Sequence, residues 1–154
     1  MKEAERIADQ LRRAQQGEAW HGPSLREILA GVSAAQAAAR PIAAAHSIWE
    51  IVLHIAAWES IVLRRLGGEV VSDVGSEVDW PPVRETSEAE WQSALAALEA
   101  CHRKLREAIA QMTDERLHER VPGKESSFYG ELHGIVQHDL YHAGQIAVLK
   151  KAVR

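Results

Sequence analysis

Cysteine is nearly missing from the chain: Cys101 is the only one in 154 residues. A single thiol excludes an internal disulfide framework and any cysteine-rich zinc knuckle. Blocks of lysine and arginine are missing too. The formal charge of −4 is spread over interspersed acids and bases, so no nucleic-acid-binding surface is expected. Long uninterrupted apolar runs are also lacking. The most apolar stretch, IWEIVLHIAAWESIVLRRL at 48–66, is broken by glutamates and a histidine, so no membrane span is expected. The N-terminal MKEAERIADQLRRAQQ has no apolar segment of signal-peptide type, which makes a cytoplasmic chain the expectation. Prolines number only five, and there is no strand-like alternation, internal repeat or low-complexity tract. Few helix breakers and abundant alanine favour helix.

What is present reads as one domain over residues 1–154, a length that buries roughly 70% of its unfolded surface. Ala4, Ile7, Leu11 and Ala14 mark an apolar stripe on a first helix over 2–16. The break GEAWHGP at 17–23 follows. Ser24 with Glu27 and Ser33 with Gln36 have capping-box spacing and predict two short helices, the first ending at Gly31 and the second at Pro41. Ser47 with Glu50 opens a second long helix, which Gly67-Gly68 terminates. Its faces are nearly all apolar, so it should be the most buried. Residues 69–86 read as an irregular crossover. Ser87 with Glu90 opens a third long helix, striped by Trp91, Leu95, Leu98, Leu105, Ile109 and Met112. A loop at 113–126 leads to a last helix from about Phe128 to Val153. Four long helices, one long crossover and no sheet predict an all-α four-helix bundle with short extra helices between the first two long ones.

Three histidines stand out on core-facing stripes. His138 and His142, in HDLYH, lie four residues apart and so share one face of the last helix with Ile135, Gln145, Ile146 and Leu149. That spacing suits two imidazoles converging on one metal ion. His54 sits mid-helix with Ile51, Trp58 and Ile61 on its face. A buried imidazole needs a hydrogen-bond partner or a metal, and a packed core histidine is the competing reading. Three neutral nitrogen ligands would leave coordination positions open, as catalytic sites do.

The chain resembles the DinB-like superfamily. The matching stretches are AWHGPSLREIL at 19–29, HSIWEIVLHIAAWE at 46–59 and HGIVQHDLYHAGQIAVLKK at 133–151. The resemblance implies an up-down-down-up bundle with a three-histidine metal site. By position its ligands fall on His54, His138 and His142. It further implies relatives among thiol-dependent S-transferases and maleylpyruvate isomerase, which use low-molecular-weight thiols such as bacillithiol or mycothiol. A homodimer is implied by family analogy, with the apolar second helix as added support.

The expected function is therefore a divalent-metal-dependent enzyme, S-transferase-like or hydrolase-like, acting on a small-molecule substrate. Zinc and nickel both suit three imidazoles, and a low-molecular-weight thiol is a possible cosubstrate. The alternative is a non-catalytic stress-response protein that binds metal or ligand. A di-iron site of ferritin type is disfavoured, because its Glu-x-x-His motifs are missing. Catalytic candidates beyond the ligands are Glu50, one turn before His54, and His21 in the WHGP break. Glu50 also reads as a plain capping residue. The WHGP break, with Trp20, and the 67–86 stretch are the expected pocket rim. His102 is read as a core histidine ahead of a fourth ligand or a pocket residue, His46 as a cap or loop residue ahead of a pocket-mouth or proton-transfer role, and His118 and His133 as surface residues. Gln145 is ranked above Asp139 as an imidazole-orienting partner, since Asp139 lies off the ligand face, and Tyr141 as a flanking residue that bonds a ligand. Trp58 and Trp91 are assigned to the core, and Cys101 is read as an inert small hydrophobe.

Overall fold

Six helices start at a hydroxyl residue whose Oγ accepts a hydrogen bond from the backbone N–H three residues on: Ser24, Ser33, Ser47, Ser87, Thr113 and Ser127. Each satisfies one of the donors a helix leaves unpaired at its start, a contribution of about 1 kcal/mol. The computed structural model describes residues 1–154 and contains eight helices. They are α1 (Glu3–Gln16), α2 (Leu25–Leu29), α3 (Ala34–Ala38), α4 (Ile48–Leu66), α5 (Ser76–Asp79), α6 (Glu88–Ala110), α7 (Asp114–Leu117) and α8 (Phe128–Ala152). The capping boxes expected at Ser24, Ser33 and Ser47 are reciprocal. At Ser87 only the hydroxyl half forms.

Two stretches expected to be irregular each hold a short helix. The crossover contains α5 and the 113–126 connection contains α7. Both are four residues long, too short for an apolar stripe to announce them. At the end of α4, Gly68 takes φ +93°, a left-handed conformation that glycine adopts without penalty and that turns the chain out of the helix.

The four long helices form an all-α bundle in which α1 and α4 each pack against both α6 and α8. Their directions follow from side-chain pairs. Trp49 meets Trp91 with ring centroids 5.1 Å apart, and Glu59 meets His102 further along both helices. Hence α4 and α6 run parallel, as the long crossover requires. Arg65 near the end of α4 pairs with Glu131 near the start of α8, so these two are antiparallel. Ala4 N–H donates to Asp114 just beyond α6, which sets α1 antiparallel to α6. The order is up-down-down-up. No helix is long and apolar enough to cross a membrane.

The apolar core comes in two parts. One joins the first halves of α4 and α6 to α2, α3 and the end of α8. The other joins α1 to the second halves of α4 and α6 and to the start of α8. Each fully buried Leu, Ile or Phe in them contributes roughly 1.5–3 kcal/mol. Between the two parts lies a polar layer, with Gln15, Glu59, His102 and Asp139 supplied one each by α1, α4, α6 and α8, all at most 1% exposed.

Candidate metal centre

His54, His138 and His142 come together where α4 crosses α8. One ring nitrogen from each lies within 4.8 Å of those of the other two, and the three ring centroids are 4.5–4.9 Å apart. The i, i+4 spacing aims both α8 imidazoles at the middle of α4, as the sequence pattern implied. His54 and His142 are buried, and His138 is partly exposed.

Hydrogen bonds fix which nitrogen is available in two of the three rings. His54 Nδ1–H donates to the backbone carbonyl of Asp79 at 2.5 Å. That carbonyl is free because it ends α5, and the last carbonyls of a helix have no partner within it. His142 Nδ1–H donates to Gln145 Oε1 at 2.7 Å, the orienting role expected for Gln145. The Nε2 atoms of both rings are thus left with lone pairs. His138 turns its own Nε2 toward them, 3.0 Å from His54 Nε2. Tetrahedral ligation at about 2.1 Å per bond sets neighbouring nitrogens roughly 3.4 Å apart, a spacing that the His54–His138 pair approaches at 3.0 Å. His138 Nδ1 is buried without a hydrogen-bond partner. Burial holds the pKa of His54 below the ordinary imidazole value and lowers that of His142 to about 4, with the neighbouring histidines adding to the effect. Both rings are neutral at pH 7, the form that ligates metal.

The crossover forms one wall. Trp80 lies flat on His54, 3.8 Å between centroids, and its other face stacks on His46 at 3.6 Å. Trp58 Nε1–H donates to the Asp79 carboxylate at 2.7 Å. A cavity of about 710 Å³, walled by Ile42, His46, Ile51, Trp80 and Val148, reaches His142. A second, of about 390 Å³ and lined by Trp58, Arg65, Lys124 and Glu131, reaches His138. The triad therefore lies between two hollows, one walled mainly by hydrophobic residues and the other bordered also by Lys124 and the Arg65–Glu131 pair.

Several sequence-level candidates lie elsewhere. Glu50 accepts from Ser47 N–H at 2.7 Å and pairs with Arg40, so its carboxylate is engaged in capping α4. His21 and Trp20 are exposed and border a hollow over α1, Val136 and Leu140, apart from the cavities that open on the triad. The rim is built from the crossover and residues 42–46 instead. Tyr141 is 67% exposed and its ring meets His142 edge-on at 5.2 Å, without a hydrogen bond to it. His46 is the loop residue expected just before α4 and, as the alternative reading had it, also a wall of the apolar cavity. Trp91 is core, whereas Trp58 borders the site. His133 is half-buried and stands edge-on to Tyr129. Cys101 is half-buried, and burial pushes its thiol up, in keeping with an inert role.

The polar layer was not legible as a unit. Gln15 Nε2 donates to Glu59 Oε1 at 2.7 Å and to Asp139 Oδ2 at 3.0 Å. His102 Nδ1–H donates to the Glu59 carboxylate at 2.7 and 2.8 Å, and Arg106 donates to Gln15 Oε1 at 2.7 Å. His102 is thus a core histidine with a hydrogen-bonded partner. Burial and the charge of Asp139 raise the Glu59 pKa well above the usual carboxylate range, and burial lowers that of His102 to about 4. The one available signal was Glu59 itself, an acid flanked one turn away by Ile55 and Val62 on a mostly apolar helix.

The sequence profile of the DinB superfamily matches residues 19–146. Searches against curated proteins and against solved structures return no match.

Proposed function

The chain belongs to the DinB superfamily, and on that footing we propose that it is a metal-dependent enzyme whose ion is held by His54, His138 and His142. The observation carrying this reading is the convergence of three imidazoles, two of them with the Nδ1 proton pinned by an oxygen acceptor, at the meeting point of two cavities. Zinc and nickel are the ions that suit the donor set. Such an ion lowers the pKa of a coordinating thiol or water toward neutrality.

The chain's own residues supply the rest. Asp79 and Gln145 hold two imidazoles in the ligating tautomer. Trp80 and Ile51 exclude water from one side and offer apolar surface to an electrophilic substrate. Lys124, on the other side, offers a charge to a polar cosubstrate, while Arg65 there is engaged by Glu131 and the Val71 carbonyl. Transfer of a low-molecular-weight thiol to an apolar electrophile accounts for both hollows, and hydrolysis accounts for one. A homodimer and a cytoplasmic location belong to the same proposal. Sedimentation equilibrium that shows only monomer at micromolar concentration would remove the dimer.

The test begins with metal analysis of protein purified without a nickel column. It continues with several thiols against a chromogenic electrophile, and separately with a panel of esters and amides. Metal-dependent turnover that His138→Ala abolishes while helical content persists supports an enzyme. Equal background rates for loaded, stripped and variant protein on every substrate would instead indicate a non-catalytic binder.

A further inference from the structure

Four buried side-chain polar atoms lack a hydrogen-bond partner, and two of them belong to consecutive residues of α8: His138 Nδ1 and Asp139 Oδ1. They are 3.7 Å apart, just beyond hydrogen-bond reach. Buried polar atoms are rarely left unpaired in native structures, so adjacent unpaired atoms of opposite hydrogen-bonding character point to a bond poised to form. The other two imidazoles of the triad already have an oxygen at Nδ1, the Asp79 carbonyl and Gln145 Oε1. His138 has one within a side-chain adjustment.

The far side of Asp139 is held in place. Its Oδ2 accepts from Gln15, whose amide is shared with Glu59, and Glu59 is in turn gripped by His102. These contacts come from α1, α4 and α6, so the carboxylate is oriented by all three other long helices. A buried acid on α8 is costly unless its oxygens are used, and this layer uses one and leaves the other beside His138.

We infer that Asp139 is the positioning residue for His138. Its Oδ1 accepts the Nδ1 proton, which keeps Nε2 unprotonated and directed at the ion. The Gln15–Glu59–His102 cluster holds the carboxylate for that purpose. This rests on the three-histidine site proposed above. Asp139 sets a carboxylate oxygen beside His138, and a carboxylate acceptor raises the basicity of a ligating ring more than a carbonyl does. The same cluster brings one donor atom each of Glu59, His102 and Asp139 within 4.8 Å, so a second cation is the rival use. Gln15 and His102 already donate to both Glu59 oxygens and to Asp139 Oδ2, which leaves such an ion only Asp139 Oδ1 among the carboxylate oxygens.

The experiment uses full-length protein, stripped and then titrated with Zn²⁺ against a chromophoric chelator, in wild type, Asp139→Asn and His138→Ala. Asparagine can satisfy Gln15 only by turning its amide NH₂ toward His138, which selects the wrong tautomer. Asp139→Asn should weaken Zn²⁺ binding by about 10- to 100-fold, and the Co²⁺-loaded variant should show an altered absorption spectrum. A purely structural role would instead shift only the thermal midpoint of the stripped protein. Should the variant fail to fold, nitrogen-15 NMR of wild-type histidines answers the same question. On adding Zn²⁺, His138 should carry its proton on Nδ1, with that N–H downfield and slow to exchange. Asp139→Asn binding within threefold of wild type with an unchanged Co²⁺ spectrum would overturn the inference alone, as would ligation through His138 Nδ1. A second Zn²⁺ equivalent, lost in Asp139→Asn but kept in His138→Ala, would assign the cluster to a cation. Wild type that binds no Zn²⁺ would overturn the three-histidine site as well.

Discussion

Arg65 ties the crossover to the bundle, and removing it should reach the histidine triad. Its side chain is 2% exposed. Nε and Nη2 donate to the Val71 carbonyl at 3.0 and 2.5 Å, Nη1 pairs with Glu131, and the guanidinium lies 5.9 Å over the Trp58 ring. Arg65→Ala leaves Glu131 without its counter-charge and the Val71 carbonyl without its donors. Breaking a buried pair from one side costs roughly 3–5 kcal/mol. For a domain of this size each kcal/mol moves the midpoint by about 2–4 °C, so a fall of roughly 10 °C is expected. Arg65→Met with Glu131→Leu replaces both charges by apolar groups. It should recover much of the loss, with roughly 1–3 kcal/mol remaining for the unpaired carbonyl. The assay is urea unfolding followed by circular dichroism on metal-stripped protein. Because Val71 leads into α5, whose Asp79 carbonyl holds His54, the single variant should also bind Zn²⁺ more weakly with all three imidazoles intact. A cost below about 1 kcal/mol, or a double variant as unstable as the single, would refute the buried-pair account.

Gln145→Ala removes the acceptor from His142 Nδ1; it should lower Zn²⁺ affinity about tenfold, and unchanged affinity in chelator competition would count against the tautomer argument. Glu59 has a folded pKa above its unfolded one, so the native state holds the extra proton and the associated stability, complete below the unfolded pKa, is lost as pH rises through the folded value. Glu59→Gln has no such proton, and its stability relative to wild type should climb as pH rises above the ordinary carboxylate range, whereas a constant difference in unfolding midpoints would show Glu59 already ionised. Trp80→Ala removes the ring stacked on His54 and His46 and should raise KM for an apolar electrophile more than for the thiol. An equal change in both would place the electrophile elsewhere.

The helices and three of the site's residues were legible because their signals are local. Hydroxyl caps mark helix starts within four residues, and HDLYH puts His138 and His142 on one face by helix geometry alone. His54 was marked by an imidazole on an apolar face together with the family resemblance. Tertiary structure decided the remainder. Residue 139 lies roughly 100° round the helix from 138, a position that reads as a solvated flank. It is buried because α8 packs on both α1 and α4, so two of its faces are internal where periodicity describes one. Gln15 and Asp139 are 124 residues apart in the chain, and Gln15 and Glu59 are 44 apart. No local pattern records such partners. The Asp79 carbonyl is a backbone atom, invisible to residue type, and it reaches His54 only because a four-residue helix ends there. Side-chain periodicity encodes which face of each helix avoids water; which polar groups then meet inside depends on how the helices are laid against one another.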